Sequence, residues 1–334
     1  MDHILFKDER LNGWEYGMLR SFEKAIIKNT GARIASIPMY DYPGVNKLLP
    51  YFGNGMNRDK YRKYFPKQKF QASGDVAWCI LMGPENYLFD LYSSWAENFK
   101  VKILYLFDTL PGQYPLIKKL FSNNKWDILI TAFNDAAEDL QKLTGRKWHV
   151  IEQAADDIIF SPVPFEQKNI HFSAYGRRYQ PFHEALKEFC AVNKLYYDYT
   201  THDARHPVVG AEELYKQYAW HINHSLFTVS WPVEFTNSQR AGHLHPITCR
   251  WFEAASAGTL ILGKAPDNDG FKQMLKEDLV VEINPDAPRK EVLNKLDDIW
   301  QKRESLYRKA NTIQQENINR WTWNARVESI LKLI

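Results

Sequence analysis

Apolar residues along the chain fall into short runs separated by longer stretches of helical period. Runs at residues 3–6, 33–38, 76–82, 101–107, 127–132 and 148–152 are bounded by Gly, Pro, Asp or Asn and predict buried strands. Between them, residues 16–28, 87–98 and 136–144 predict helices. Strand–helix alternation of this kind predicts a parallel sheet with helices on both faces. The segment 156–169, with two prolines and a scatter of polar residues, interrupts the pattern. The alternation then restarts, with strands at 170–174, 195–199, 226–230, 259–263 and 279–283. Helices are expected at 181–193, 211–219, 248–257 and 270–276, then over about 289–316 and 323–333. The pattern therefore predicts two Rossmann-like units, residues 1–155 and 170–316, joined by a linker at 156–169 and closed by a helical tail at 317–334.

Two doubly wound units in tandem bring their ligand-binding carboxyl edges to a shared cleft. That organisation suits a nucleotide-sugar transferase, a two-domain dehydrogenase or a periplasmic-type binding protein. A dehydrogenase needs a Gly-rich dinucleotide fingerprint after a strand. The nearest string, Gly53-Asn54-Gly55, lacks the third glycine. The first ten residues mix acidic and basic groups without a signal-peptide apolar run, and no run is long enough to span a bilayer. Cys79, Cys190 and Cys249 are few, odd in number and far apart, which points to a reducing, cytoplasmic setting without disulfides. A net charge of +3 is weakly basic for a nucleic-acid binder.

The stretch Ile247-Thr248-Cys249-Arg250-Trp251-Phe252-Glu253-Ala254-Ala255-Ser256-Ala257-Gly258, followed by apolar residues 259–262, resembles the nucleotide-sugar signature of GT-B glycosyltransferases. It is most similar to that of the CgeB-like group, related to glycosyltransferase group 1 C-terminal domains. Residues 150–156 followed by Phe160 and Pro162 resemble that group's end-of-domain segment. Residues 170–178 (IHFSAYGRR) resemble its first C-terminal strand and phosphate loop, and Trp323–Val327 its terminal helix. Residues 105–108 and the Arg250/Glu253 helix bear a distant likeness to phage DNA β-glucosyltransferase. The resemblance covers about residues 148–334. It implies a GT-B fold whose last helix returns to the N-terminal domain. It also implies transfer of a sugar from a nucleoside-diphosphate donor, a UDP-sugar foremost, with no further cofactor. The implied acceptor is a glycan or glycoconjugate, with DNA as a lesser alternative through the phage likeness.

The residues of these motifs suit that chemistry. Pro246 precedes the 248–257 helix, whose free N–H groups would attract a diphosphate. Arg250 and Glu253, three apart, share a face. Glu253 is expected to accept the ribose hydroxyls, and Arg250 to hold Glu253 or a phosphate. Without the family match, spacing alone favours reading the two as a surface ion pair. Arg177 and Arg178 follow a strand at Gly176, where a pyrophosphate loop is expected. The polar segment 234–245 is read as a loop reaching sugar or phosphate through Arg240, His243 or His245.

Retaining family 4 enzymes carry two glutamates eight positions apart, whereas here His245 stands eight before Glu253. An inverting reaction is therefore expected, with a general base from the N-terminal domain, and no metal ion is expected because positive side chains and helix N–H groups can balance the leaving diphosphate. Asp108, ending the 101–107 run, is that candidate; Glu15, Asp41 and Glu85 are the competing acceptor-side carboxylates. An Asp there could equally be a turn former. Asp267-Asn268-Asp269 reads as a turn, and the pairs His221/His224 and His243/His245 lack a third metal ligand. The basic, aromatic segment 58–69 reads as a solvated helix face, with peripheral contact to anionic lipid or nucleic acid as its alternative. The competing functions are a GT-B epimerase or hydrolase of nucleotide-sugars and a non-catalytic glycan-binding scaffold.

Overall fold

The computed structural model of the chain describes residues 1–8, 11, 16–36, 68–69, 72–84, 92–93, 95–123, 125–200, 211–275 and 277–334. Glu15, Asp41, Glu85 and the basic segment 58–69, save the backbone of its last two residues, lie outside them. Two separate parallel sheets dominate. The first orders its strands β2 (Arg33–Ser36), β1 (His3–Lys7), β4 (Gly74–Leu81), β6 (Phe99–Leu106), β7 (Ile128–Thr131) and β8 (Trp148–Val150). The second orders β10 (Tyr197–Tyr199), β9 (Ile170–Ala174), β11 (Ser225–Ser230), β12 (Leu260–Gly263) and β13 (Val280–Glu282). β4, β6, β7 and β11 are largely or wholly buried along their length, as strands covered by helices on both faces must be. Strand order reverses between β1 and β4 in the first sheet and between β9 and β11 in the second, which marks where each sheet opens a ligand crevice.

Two expectations from periodicity change. The segment 87–98 was expected to be helical. Its described part instead has a two-residue strand, β5 (Tyr92–Ser93), paired with β3 (Gln68–Lys69), and then a 3-10 turn at Trp95–Asn98. The buried Trp95 ring, edge-on to Phe6 and tilted on Trp126, favours that turn over a longer helix. The expected loop 234–245 begins as a helix, Val233–Ala241, broken by the extended backbone of Asn237.

Each sheet has its own core. Helix α1 (Gly17–Thr30) packs on the first, and Phe22 stacks on Trp323 at 4.5 Å. Trp323 belongs to the last helix of the chain, Trp323–Leu331, whose Val327 and Ile330 join the N-terminal core. The chain thus crosses between domains twice, at Ala155 and at Trp321–Trp323. The two passages pair with each other: Ala155 N–H donates to the Trp321 carbonyl (2.8 Å), and Trp323 N–H to that of Ala155 (3.2 Å). Arg326, 5% exposed, sits behind this bridge and donates to the carbonyls of Glu152, Gln153 and Arg320.

At the far end of the first crossing, Lys168 is buried beneath the segment that leads into β12. Its ammonium reaches the Ala257 carbonyl at 3.4 Å and the Thr259 hydroxyl at 3.3 Å, both long contacts, and faces the Tyr307 ring. Burial lowers its pKa to about 7. The unfolded chain, with a lysine near 10.4, therefore binds more protons than the native state between those values, so stability rises with pH across that window. Chemical denaturation of wild type should show a gain of about 2 kcal/mol between roughly pH 7 and pH 9 that is absent in Lys168→Met. Parallel pH profiles for the two proteins would contradict this account of Lys168.

Candidate functional site

The crevice between β9 and β11 is built from three pieces of chain. The first is the turn after β9, where Gly176 adopts φ of +77° and its N–H donates to the Thr200 hydroxyl at 3.0 Å. A Cβ on Gly176 would lie 2.6 Å from an Arg250 guanidinium nitrogen, so glycine serves here both for its backbone and for the close approach of that charge. The second piece is the helix Cys249–Ser256, which carries Arg250 and Glu253. The third is the strap from Val233 to His245, which carries Arg240.

These pieces bring the charges of Arg177, Arg240 and Arg250 within reach of one another, and pair Arg240 with Asp108. Asp108 is fixed on the last rung of the first sheet, its N–H donating to the Met82 carbonyl at 2.8 Å. Arg240 Nη2 reaches the Asp108 carboxylate at 2.7 Å across the domain boundary, and both side chains remain partly exposed. The Arg177 guanidinium is pushed to a lower pKa by the protein packed around its head and then by the charges of Arg240 and Arg250, with Asp108 opposing. Such crowding of cations is unfavourable without an anion between them.

Arg178 is not in this group. It turns toward β10, its guanidinium over the Tyr199 ring at 5.3 Å, with one nitrogen buried and unpartnered among the described residues. His245 lies at the end of the strap. Its Nδ1 is 2.8 Å from Glu234, its N–H donates to Asp135 at 2.5 Å, and its carbonyl accepts from Asn268 at 2.9 Å. Asn268 and Asn134 exchange two amide hydrogen bonds across the domains, and Asn268 also caps the helix Asp269–Met274. The Asp267–Asp269 turn read from the sequence is thus a capped helix start. His243 bonds Asp139, which also accepts from Tyr114. His221 bonds Asp198.

Glu253 stands differently from its expectation at the ribose. It is 2% exposed, and its two oxygens accept from Tyr215 (2.5 Å) and Tyr218 (2.8 Å) of the helix Ala211–Asn223. Burial raises its pKa, while the two hydroxyls, the Arg250 charge and the Cys249 thiol act against that rise. Tyr215 is in turn pressed onto α1, where a Cβ on Gly17 would lie 2.2 Å from its ring. Glu253 therefore ties the Arg250 helix to the N-terminal domain. The helix start is also partly occupied, because the Cys249 N–H already donates to Gln153 Oε1 at 2.6 Å.

Sequence reasoning passed over Glu234, Gln153 and Tyr218. The first is an ordinary polar residue of a polar segment, and the other two act across more than thirty positions. Among the described residues no three His, Cys, Asp or Glu side chains converge as metal ligands, and no helix is long and apolar enough to cross a membrane. A cavity of about 380 Å³ lined by Tyr179, Phe182, Trp231 and Pro285 contains none of the charged residues named above.

Comparison with known proteins agrees with this architecture. No curated protein sequence matches the chain. Among solved structures, a glycosyltransferase from Rickettsia africae ESF-5 aligns over 99% of this chain and 97% of its own, at 13% identity and a TM-score of 0.53. The sucrose-phosphate synthase of Thermosynechococcus elongatus aligns over 100% and 98%, at 12% identity and 0.54. Anabaena HepE in complex with UDP-glucose aligns over the full length of both chains, at 10% identity and 0.57. Identities this low show the shared fold alone. The model of a family described as glycosyl transferase-like matches residues 159–332, which is over half of the sequence. The chain therefore belongs to the glycosyl transferase-like family and has the two-domain GT-B fold.

Proposed function

We propose that the protein transfers a sugar from a nucleoside-diphosphate donor, a UDP-sugar foremost, to an acceptor hydroxyl with inversion and without a metal ion. The observation that supports this reading is the grouping of the Arg177, Arg240 and Arg250 charges at the crevice of the second sheet, with Asp108 paired to Arg240. Besides burial, the like charges of Arg240 and Arg250 press down the Arg177 pKa, and a diphosphate between the three would relieve that repulsion. Arg178 lies at the rim of the same loop and His245 at the end of the strap. Glu253 acts through the helix that it anchors. A glycan or glycoconjugate is the favoured acceptor.

In this mechanism the acceptor oxygen attacks the anomeric carbon from the face opposite the diphosphate. Its proton passes to the Asp108 carboxylate. The bond from the anomeric carbon to the diphosphate breaks, and the electron pair leaves with the phosphate, whose charge the arginines balance. The Asp108–Arg240 pair does not stand in the way. A partly exposed ion pair is worth about 0–1 kcal/mol, so a doubly charged phosphate can draw Arg240 to itself and release the carboxylate for the acceptor.

Three measurements test this. Arg250→Ala should weaken UDP binding in calorimetry by roughly ten- to a hundred-fold, the loss of one or two charge-assisted hydrogen bonds. Unchanged affinity would move the diphosphate elsewhere. Turnover should survive EDTA, since guanidinium groups already neutralise the leaving group. Loss on EDTA restored by magnesium or manganese would overturn that part. Asp108→Asn should keep donor binding but slow turnover about a hundred-fold or more, with an inverted product in proton NMR of wild type. A retained configuration or a near-normal Asn variant would remove Asp108 from the role of base.

A further inference from the structure

Gln153 stands at the first crossing between the domains, and the mechanism above gives its side chain no part. The residue is 2% exposed. Arg326 holds its main-chain carbonyl, and its Oε1 accepts from the Cys249 N–H at 2.6 Å. That bond settles which end of the amide is oxygen. It also keeps the other end, Nε2, at the start of the helix that carries Arg250. Nε2 itself has no hydrogen-bond partner among the described residues. An amide so enclosed costs stability while its N–H groups go unanswered, which a ligand at the helix start would put right. The same helix start is in electrostatic reach of the crevice. The protein packed around the Cys249 thiol raises its pKa; the Glu253 charge adds to the rise, Arg250 opposes it and Asp108 adds to it again. Arg250 is the next residue along, and its guanidinium approaches the Gly176 turn.

We infer that Gln153 is a donor-binding residue, its Nε2 donating a hydrogen bond to the diphosphate held at Arg250. The inference rests on the donor reading above and adds to it a contact from the chain that enters the crossing. The amide works as a relay. Its oxygen takes the first N–H of the helix, where the aligned peptide dipoles leave partial positive charge. The amide so polarised donates more strongly from its nitrogen, so the helix start acts on the phosphate through Gln153 rather than directly. The side chain is free to be changed in a test, because Arg326 grips the main chain of Gln153 and that grip survives substitution.

The test is calorimetric titration of the full chain with UDP, ADP and GDP, the tightest of the three being carried forward. Wild type, Gln153→Glu, Gln153→Met and Arg250→Ala are compared. Salt is held at about 0.3 M, where a carboxylate that does not touch the phosphate counts little. Gln153→Glu keeps an acceptor for the Cys249 N–H, and a carboxylate suits a helix start, but it turns the donor into an anion. Gln153→Met removes both polar ends at similar volume. Gln153→Met should weaken binding roughly tenfold and Gln153→Glu about a hundredfold. In thermal unfolding without ligand, Gln153→Glu should nonetheless be no less stable than Gln153→Met. A side chain that served only the helix would give the same order in affinity as in stability. Gln153→Glu binding within about threefold of Gln153→Met, or tighter, overturns the inference. So does Gln153→Met with wild-type affinity, which decides alone should Gln153→Glu fail to fold. If either result comes with an Arg250→Ala variant that binds weakly, the donor site stands and only the role of Gln153 falls. If none of the three nucleotides binds wild type, the donor reading fails and takes this inference with it.

Discussion

The placement of the site depends on one buried charge. Arg326 is enclosed where the chain crosses twice between its domains. A guanidinium in that position costs several kcal/mol unless its N–H groups are answered. Here the carbonyls of Glu152, Gln153 and Arg320 answer it, and the Phe252 ring lies 5.4 Å from its centre. Those acceptors come from both passages, so the arginine joins them as much as the paired backbone at Ala155 does. Gln153 extends the connection, because its side chain takes the first N–H of the helix that carries Arg250. The domain junction and the helix that carries Arg250 are thus a single hydrogen-bonded object, and Phe252 of that helix forms one wall of the arginine's cage.

A second tie runs through Glu253. Its tyrosine partners join the same helix to the helix Ala211–Asn223, which packs on α1 of the N-terminal domain, with Gly17 leaving room for the Tyr215 ring. The third is the strap, which reaches over to Asp108, Asp135 and Asp139 through Arg240, His245 and His243. The strap contacts are polar and half-exposed, whereas the Arg326 and Glu253 ties are buried. The junction between the domains is therefore buried on the side of Arg326 and Glu253, and polar and partly exposed along the strap.

The sequence carried the two sheets well because buried parallel strands are written as apolar runs, and those runs survive without any partner being known. The 170–174 run and the β9 strand coincide for this reason. Local pattern failed where tertiary contacts decide. Residues 233–241 look polar because the strap faces charged groups of the other domain, so their helix has little apolar face to betray it. Trp95 is drawn into an aromatic cluster that no periodicity of its neighbours encodes. At the site, Arg250 and Gly176 were legible through their motifs. The burial of Glu253 was not, because Tyr215 and Tyr218 lie some 35 positions away on a helix with no motif of its own. Likewise, Asp108 could be placed at a strand end, but its Arg240 partner is 132 residues distant.

The central claim is that a nucleotide diphosphate lies between the Gly176 turn and Arg250, facing Asp108 across the domain boundary. A crystal structure of the chain with UDP bound addresses it directly. The account predicts phosphate oxygens within hydrogen-bonding distance of the Arg250 guanidinium and of Arg177, with Arg240 turned from Asp108 toward them. Density for the nucleotide in the cavity lined by Tyr179 and Trp231, or on the N-terminal sheet with the arginine cluster unchanged, would contradict it.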